Sequence, residues 1–491
     1  MTVASFLRVT ALVAGALVAT APLASQDAPP RRLKLSDTGL PGIDLGLQPL
    51  ARLDAIGGRS RVRTLEAPPG PWVAGRVLVK FRDRDYAETV AIDPAADPEA
   101  VARLFRERGD VEFAQPDYRA HYDFHPNDPL FASQWNMSAL SMERAWDVNP
   151  GATSAVIVAV LDGGLAYDTA TYQYVGRAVT SGGRRYPALG RVTVPFAAAP
   201  ELAGPNRFVA PHDFIWDDTL PVDLDGHGTH VAGTIGQLTN NGVGVAGMAF
   251  NVRLMPVKVI GGDWDFIFGA PNEATTSVVA AGIRYAADNG AQVINMSLGF
   301  EGTGPLPAIE EALRYAVGKG AFVAVAAGNG YEDGNPEEAL AEIAAKMDGV
   351  MSVGAVGRTL DRAFYSSSRS SVEIAAPGGD FHSGGEAGGV IQQTYDPAAS
   401  AVDPLSNPVS LYHTPRYDIF AYESYQGTSM ATPHVAGLAA LLIQQGITKP
   451  AAIEAAIKRF ATDRGAAGRD NDFGFGLISP RETLRGLGLT R

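Results

Sequence analysis

The stretch Gly427-Thr428-Ser429-Met430-Ala431-Thr432-Pro433-His434-Val435-Ala436-Gly437 decides how this chain is read. It sets a serine just after a glycine turn, at the head of an apolar run of helical length. The first turn of a helix presents unpaired N–H groups and a positive dipole end, which favour a developing negative charge. Two earlier segments complete the pattern. Val158-Ala159-Val160-Leu161-Asp162-Gly163-Gly164 reads as a buried strand ending in an aspartate. Asp225-Gly226-His227-Gly228-Thr229-His230-Val231-Ala232-Gly233-Thr234 reads as a glycine-flanked histidine entering a helix. A serine hydroxyl is a weak nucleophile until a base lies within hydrogen-bond reach, and the base needs an acid to hold its tautomer. Asp, then His, then Ser is one of the chain orders in which that constellation occurs.

Together with Ala326-Ala327-Gly328-Asn329-Gly330, these blocks resemble those of the subtilisin-like serine proteases, the subtilases of peptidase family S8. The resemblance covers roughly residues 126–485. It implies an α/β fold of three layers around a mostly parallel sheet, and a serine-type endopeptidase. It assigns Asp162, His227 and Ser429 to the catalytic triad and the Asn329 side chain to the oxyanion. Loss of such an oxyanion donor costs roughly 100- to 1000-fold in rate, a magnitude known from a member of that family. Ser297-Leu298-Gly299 matches the family segment that pairs with an extended peptide, and Ala326, Ala327 and Gly328 match the opposite wall of the pocket. Such small walls lead us to expect a roomy apolar pocket. One departure is Gly163, where the family often carries Thr or Ser after the aspartate.

Composition narrows the partners. The formal charge is −13, and hydrophobic residues make up 46% of the 491 positions, ample for a large core. Residues 126–491 carry 24 Lys/Arg against 37 Asp/Glu, which accounts for the whole imbalance (24 − 37 = −13). An acidic main domain argues against nucleic acid, whose phosphates need clustered Lys/Arg. With no cysteine, disulfides, thiol catalysis and Cys-ligated metals are excluded. The expected partners are protein or peptide substrates and the chain's own N-terminal unit, and a monomer is expected.

The N-terminal region divides into three. Residues 1–25 read as a signal peptide: Arg8 precedes a short apolar run, which ends in small residues, and the run is too short to span a membrane. A secreted or periplasmic location follows. Residues 26–71, punctuated by Pro and Gly, read as a poorly ordered lead-in. Residues 72–122 read as a small α+β unit, with a strand near 75–81 and a helix near 98–108. Its last strand, Val111 to Tyr118, resembles the end of the subtilase propeptide, which implies an inhibitory unit cut off near Tyr122. The peptidase domain is then 123–491. Within it, strands are expected at 155–161, 252–260, 292–297, 321–326 and 349–356, and helices at 275–289, 308–319 and 429–445. Buried strands alternating with helices specify a parallel sheet covered on both faces, with active residues at the strands' carboxyl ends.

No cofactor is required for such catalysis. His227 and His230 stand three apart without the glutamate of a zinc-hydrolase helix, so that chemistry is set aside. The loop from Leu238 to Val245 resembles the family loop that binds calcium through a side-chain amide and backbone carbonyls, implying Asn241, Val243 and Val245 as ligands of a structural calcium. The competing reading of the chain is a catalytically silent subtilase fold that serves as a binding module. An α/β-hydrolase esterase is rejected, because its order would be Ser, acid, His and its serine would sit in Gly-x-Ser-x-Gly.

Overall fold

Five apolar runs of the sequence become strands of one sheet because both of their faces are buried. Along β1 (Ile157–Asp162), Val158 and Val160 face one hydrophobic cluster, while Ala159 and Leu161 face another. The structure, a computed structural model, describes residues 33–34, 72–94, 96–118, 124–181, 184–271, 274–300, 304–400 and 413–488. The other strands of this sheet are β2 (His212–Asp213), β3 (Arg253–Lys258), β4 (Val293–Met296), β5 (Phe322–Ala326), β6 (Val350–Val356) and β7 (Ile374–Pro377). Their order is β2-β3-β1-β4-β5-β6-β7, and every neighbouring pair is parallel.

Helices Thr276–Asp288, Pro307–Gly318 and Ala339–Ala344 cover one face. Helices α1 (His227–Gly236) and α2 (Thr428–Gln444), with Pro450–Phe460, cover the other. This is the expected three-layer arrangement, and the five strands and three helices read from the sequence lie within a few residues of their expected bounds. Helix α2 is buried along nearly its whole length, from Thr428 to Ile443, so it is apolar on every side.

Sequence periodicity missed the short outer strands β2 and β7 and two antiparallel insertions. Ala170–Gly176 pairs with Gly190–Phe196 in the long connection between Asp162 and His227. Val390–Tyr395 pairs with Phe420–Tyr425 ahead of α2. Leu33–Lys34 adds to the first of these ribbons, so the lead-in contributes a short strand. Residues 1–25 and the expected cut near Tyr122 lie outside the described residues.

The N-terminal unit is the α+β module expected. Trp72–Phe81 lies between Glu88–Ala91 and Val111–Tyr118, all antiparallel, with helix Pro98–Arg106 packed on the sheet. Asp97 caps that helix by accepting the Glu99 N–H at 3.0 Å. Val77, Val79, Ala102, Val111 and Ala114 form a core of its own. Among the described residues, no helix is long and apolar enough to cross a membrane.

Candidate active site

Two candidate residues, Asp162 and His227, meet at the carboxyl edge of the sheet. Asp162 is the last residue of β1, and its side chain is 3% exposed. His227 opens α1, 32% exposed, and its Nδ1 lies 2.8 Å from Asp162 Oδ1. Two glycines make that approach work. Gly226 takes φ +93°, a left-handed turn that a side chain would strain. A Cβ on Gly228 would stand 2.1 Å from the Gly164 carbonyl and 3.1 Å from Asp162 Oδ1. Burial would lower the His227 pKa, but the charges of Asp162, Asp225 and Asp223 outweigh it and raise it to about 9. Asp162 Oδ1 also accepts the Gly163 N–H at 2.7 Å, which fixes the carboxylate's orientation.

Ser429 is the second residue of α2. Its Oγ donates to the Ser297 carbonyl at 3.2 Å, while Ser297 Oγ donates to the Ser429 carbonyl at 2.8 Å. The Ser429 carbonyl is open to Ser297 because Pro433, one turn on, has no N–H to give it. The sequence reading marked Ser297 as a backbone surface only and passed over Pro433. Asn329 follows β5. Its Oδ1 accepts both the Thr428 N–H, at 2.8 Å, and the Thr428 hydroxyl, at 2.9 Å. Since both Thr428 groups are donors, the Asn329 amide N–H2 is turned to the other side, and the side chain is anchored to the first residue of the serine's helix.

Ser297-Leu298-Gly299 continues β4, and Ala326-Ala327-Gly328 leads out of β5, so the two segments leave adjacent strands side by side. Glu338, 1% exposed, reaches between these two segments: its Oε1 accepts the Phe300 N–H at 2.6 Å, and a Cβ on Gly299 would lie 2.5 Å from its Oε2. Glu338 sits outside all the signature blocks and nothing in its local sequence marks it.

The other two histidines of the signature blocks are buried and held by hydrogen bonds. His230 Nε2 faces the carbonyls of Val390 and Glu423 and its ring stacks on Tyr425 at 4.2 Å. His434 Nδ1 faces the Met430 carbonyl, and its Nε2 meets the Asn136 amide at 2.9 Å. Burial lowers the pKa of His230 to about 3 and that of His434 to about 4.

The candidate calcium ligands occupy a loop whose side-chain amide oxygens already accept N–H groups. Asn241 Oδ1 accepts the Val243 N–H at 2.8 Å. The buried Glu201 carboxylate accepts the Val245 N–H at 3.3 Å, the Gln393 amide at 3.2 Å and the Tyr422 hydroxyl. Asp128 accepts the N–H groups of Asn240, at 2.7 Å, and Asn241, at 3.3 Å. Calcium needs six to eight oxygen lone pairs, and here the nearby carboxylates already receive N–H and O–H donors. The residues as arranged do not fit the ion. Glu201 and Asp128 are the loop residues that sequence reading missed.

Comparison with known proteins places this geometry. Residues 153–476 match the subtilase family model. A thermophilic serine proteinase of Bacillus sp. (strain AK1) is 32% identical over 400 residues, covering 77% of this chain and 80% of the relative. Thermitase of Thermoactinomyces vulgaris is 31% identical over 324 residues, covering 66% of this chain and 87% of the relative. Among solved structures, a protease from Pseudoalteromonas arctica PAMC 21717 superposes with a TM-score of 0.55 at 29% identity, over 74% of this chain and 99% of its own. The match spans well over half of the sequence and carries the blocks that build the site, so the chain belongs to the subtilase family and is a serine-type endopeptidase.

Proposed function

We propose that the chain is a secreted endopeptidase, made as a self-inhibited precursor, that cleaves peptide bonds through an acyl-enzyme on Ser429. The observation that carries this reading is the 2.8 Å contact between His227 Nδ1 and Asp162, at the sheet edge where Ser429 and Asn329 also stand. Ser429 Oγ leaves the Ser297 carbonyl and attacks the carbon of the scissile bond. His227 Nε2 takes its proton and returns it to the departing amine. Asp162 holds the imidazole in the required tautomer and stabilises the imidazolium. The Asn329 amide and the Ser429 N–H hold the oxyanion, with the N-terminus of α2 behind them. Water then releases the acyl group by the reverse proton path.

The N-terminal reading rests on the Arg8-led apolar run and on the separate core of the 72–118 unit. In this reading the tail of that unit lies in the cleft as a bound product until it is cut. The 238–245 loop is closed by Glu201, Tyr422 and Asp128 without calcium.

Expression of the full chain beside Ser429→Ala tests the proposal by N-terminal sequencing and casein hydrolysis, with and without a serine-directed inhibitor. Wild type should start near residue 123 and digest casein, and the inhibitor should block it. The variant should stay unprocessed and inert. Casein hydrolysis by Ser429→Ala would remove Ser429 from the nucleophile's role, and identical processing of both chains would mean that another enzyme makes the cut.

A further inference from the structure

Residues up to Tyr118 pair within the N-terminal unit, and from Phe124 onward the chain is seated on the peptidase domain. The Phe124 ring meets Trp146 edge-on, with centroids 5.5 Å apart, and stacks on Phe250 at 5.9 Å. His125 faces the Glu143 carboxylate. The Asn127 N–H donates to Asn240 Oδ1 at 3.2 Å, and the Leu130 N–H donates to the Gly244 carbonyl at 2.8 Å.

The first nitrogen of this seated stretch has a carboxylate to itself. The Phe124 N–H donates to Asp147 Oδ1 at 2.9 Å. Asp147 is the C-cap of the helix Met142–Trp146. An acid at that end opposes the helix dipole, so the position favours a positive group beside it. Among the described residues, no Lys or Arg forms an ion pair with Asp147. The other charged groups of that helix are Glu143, which faces His125, and Arg144. Trp146 and Phe250, which hold the Phe124 ring, carry no charge.

This seat lies at the amino edge of the sheet. Asn251, next to Phe250, donates its N–H to the Gly151 carbonyl at 2.8 Å, and these two residues precede β3 and β1. Asp162 and His227 stand at the carboxyl edge. The length of β1 between the two edges is about 20 Å.

We propose that the precursor is opened at the Asp123–Phe124 bond and that Asp147 then holds the new α-ammonium of Phe124. The inference rests on the precursor reading above. Water adds its hydroxyl to the Asp123 carbonyl carbon, the C–N bond breaks, and the Phe124 nitrogen leaves with the electron pair and is protonated. A cut within one molecule is governed by which bond can reach the serine, because the effective concentration is high. In the uncut chain Asp147 accepts a neutral N–H. In the cut chain it accepts from a cation, which makes a stronger, charge-assisted bond. The new terminus is thereby kept at the edge remote from the cleft, where it cannot serve as the amine that reverses the cut.

The test uses mature enzyme made from the full chain and blocked with a serine-directed inhibitor. N-terminal sequencing should read Phe124-His125-Pro126. A trace of acetic anhydride is then added at pH 7.5, and acetylation of the N-terminal peptide is read by mass spectrometry against lysine peptides of the same chain. A paired ammonium keeps its proton above the ordinary α-amino range of about 7.7–8.0. Wild type should therefore react about two- to fivefold more slowly than Asp147→Asn, which keeps an acceptor oxygen and removes the charge. High salt should narrow the gap. Equal rates in the two enzymes, or a mature chain that starts at another residue, overturn the proposal while leaving the precursor reading in place. A full chain that is never cut overturns both.

Discussion

Ser297 and Ser429 hold each other through a reciprocal pair of hydrogen bonds: each hydroxyl donates to the other's carbonyl, at 2.8 and 3.2 Å. The pair ties the segment that follows β4 to the first turn of the serine's helix, and Pro433 makes it available by leaving the Ser429 carbonyl unclaimed. Ser297→Ala should therefore loosen the placement of Ser429, lowering kcat about tenfold with little change in KM. Loss of one hydrogen bond should cost about 1 kcal/mol of stability. Adding Pro433→Ala, which supplies an N–H to that carbonyl, should restore part of the lost turnover. If the two substitutions simply add in a double-mutant cycle, the coupling is absent.

Activity should rise with pH beyond the range of an ordinary histidine. The base must be neutral to take the serine's proton, and the carboxylates around His227 raise its pKa to about 9. The protonated, inactive form is therefore kept until pH climbs through that value. A kcat/KM profile should rise between about pH 7 and 9. A profile already flat by pH 7 would show that the acidic surroundings do not act on His227 as argued.

Acid should destabilise the fold through His230 and His434. Both are buried, with folded pKa values of about 3 and about 4, well below the ordinary 6.5. The unfolded chain takes up these protons first, so stability is complete above pH 6.5 and falls as pH drops towards 4. Thermal melts of the inactive Ser429→Ala chain from pH 7.5 to 4.5 should show that decline, and His434→Gln should flatten it. A decline of the same slope in the variant would exclude His434 as a cause.

Breaking the buried ion pair of Lys258 and Asp265 should be costly. Both side chains are at most 1% exposed, and Asp265 also accepts the Trp216 N–H at 2.6 Å and the Gly262 N–H at 2.9 Å. Lys258→Met leaves a buried carboxylate without its cation, an expected loss of about 3–5 kcal/mol by denaturant titration. A loss under about 1 kcal/mol would mean that the pair is solvated.

The 238–245 loop should be insensitive to chelation and sensitive to Glu201. Treatment with a calcium chelator should leave Tm unchanged. Glu201→Ala strands the Val245 N–H, the Gln393 amide and the Tyr422 hydroxyl, at a cost of about 1–3 kcal/mol for each group left buried and unpaired. A chelator-induced drop in Tm would show that the loop rearranges around an ion.

The sequence by itself determined the parallel sheet and its edge. The runs ending at Asp162, leading to Ser297 and preceding Asn329 are apolar on both faces, and such strands have few alternatives to a covered parallel sheet. The glycines around His227 and Ser429 were legible too, because backbone turned tightly at a helix start leaves a local mark. Only the tertiary structure decided what stands across from these blocks. Glu338 between Gly299 and Gly328, Glu201 against the 238–245 loop, and Asp225 opposite Gly163 and Gly262 meet their neighbours across many residues of chain. The ribbon that carries Tyr422 and Tyr425 is likewise paired over a long separation. A carboxylate has the same local pattern whether it faces solvent, a backbone N–H or a substrate. Its role is set by what the fold places beside it, and no period along the chain encodes that.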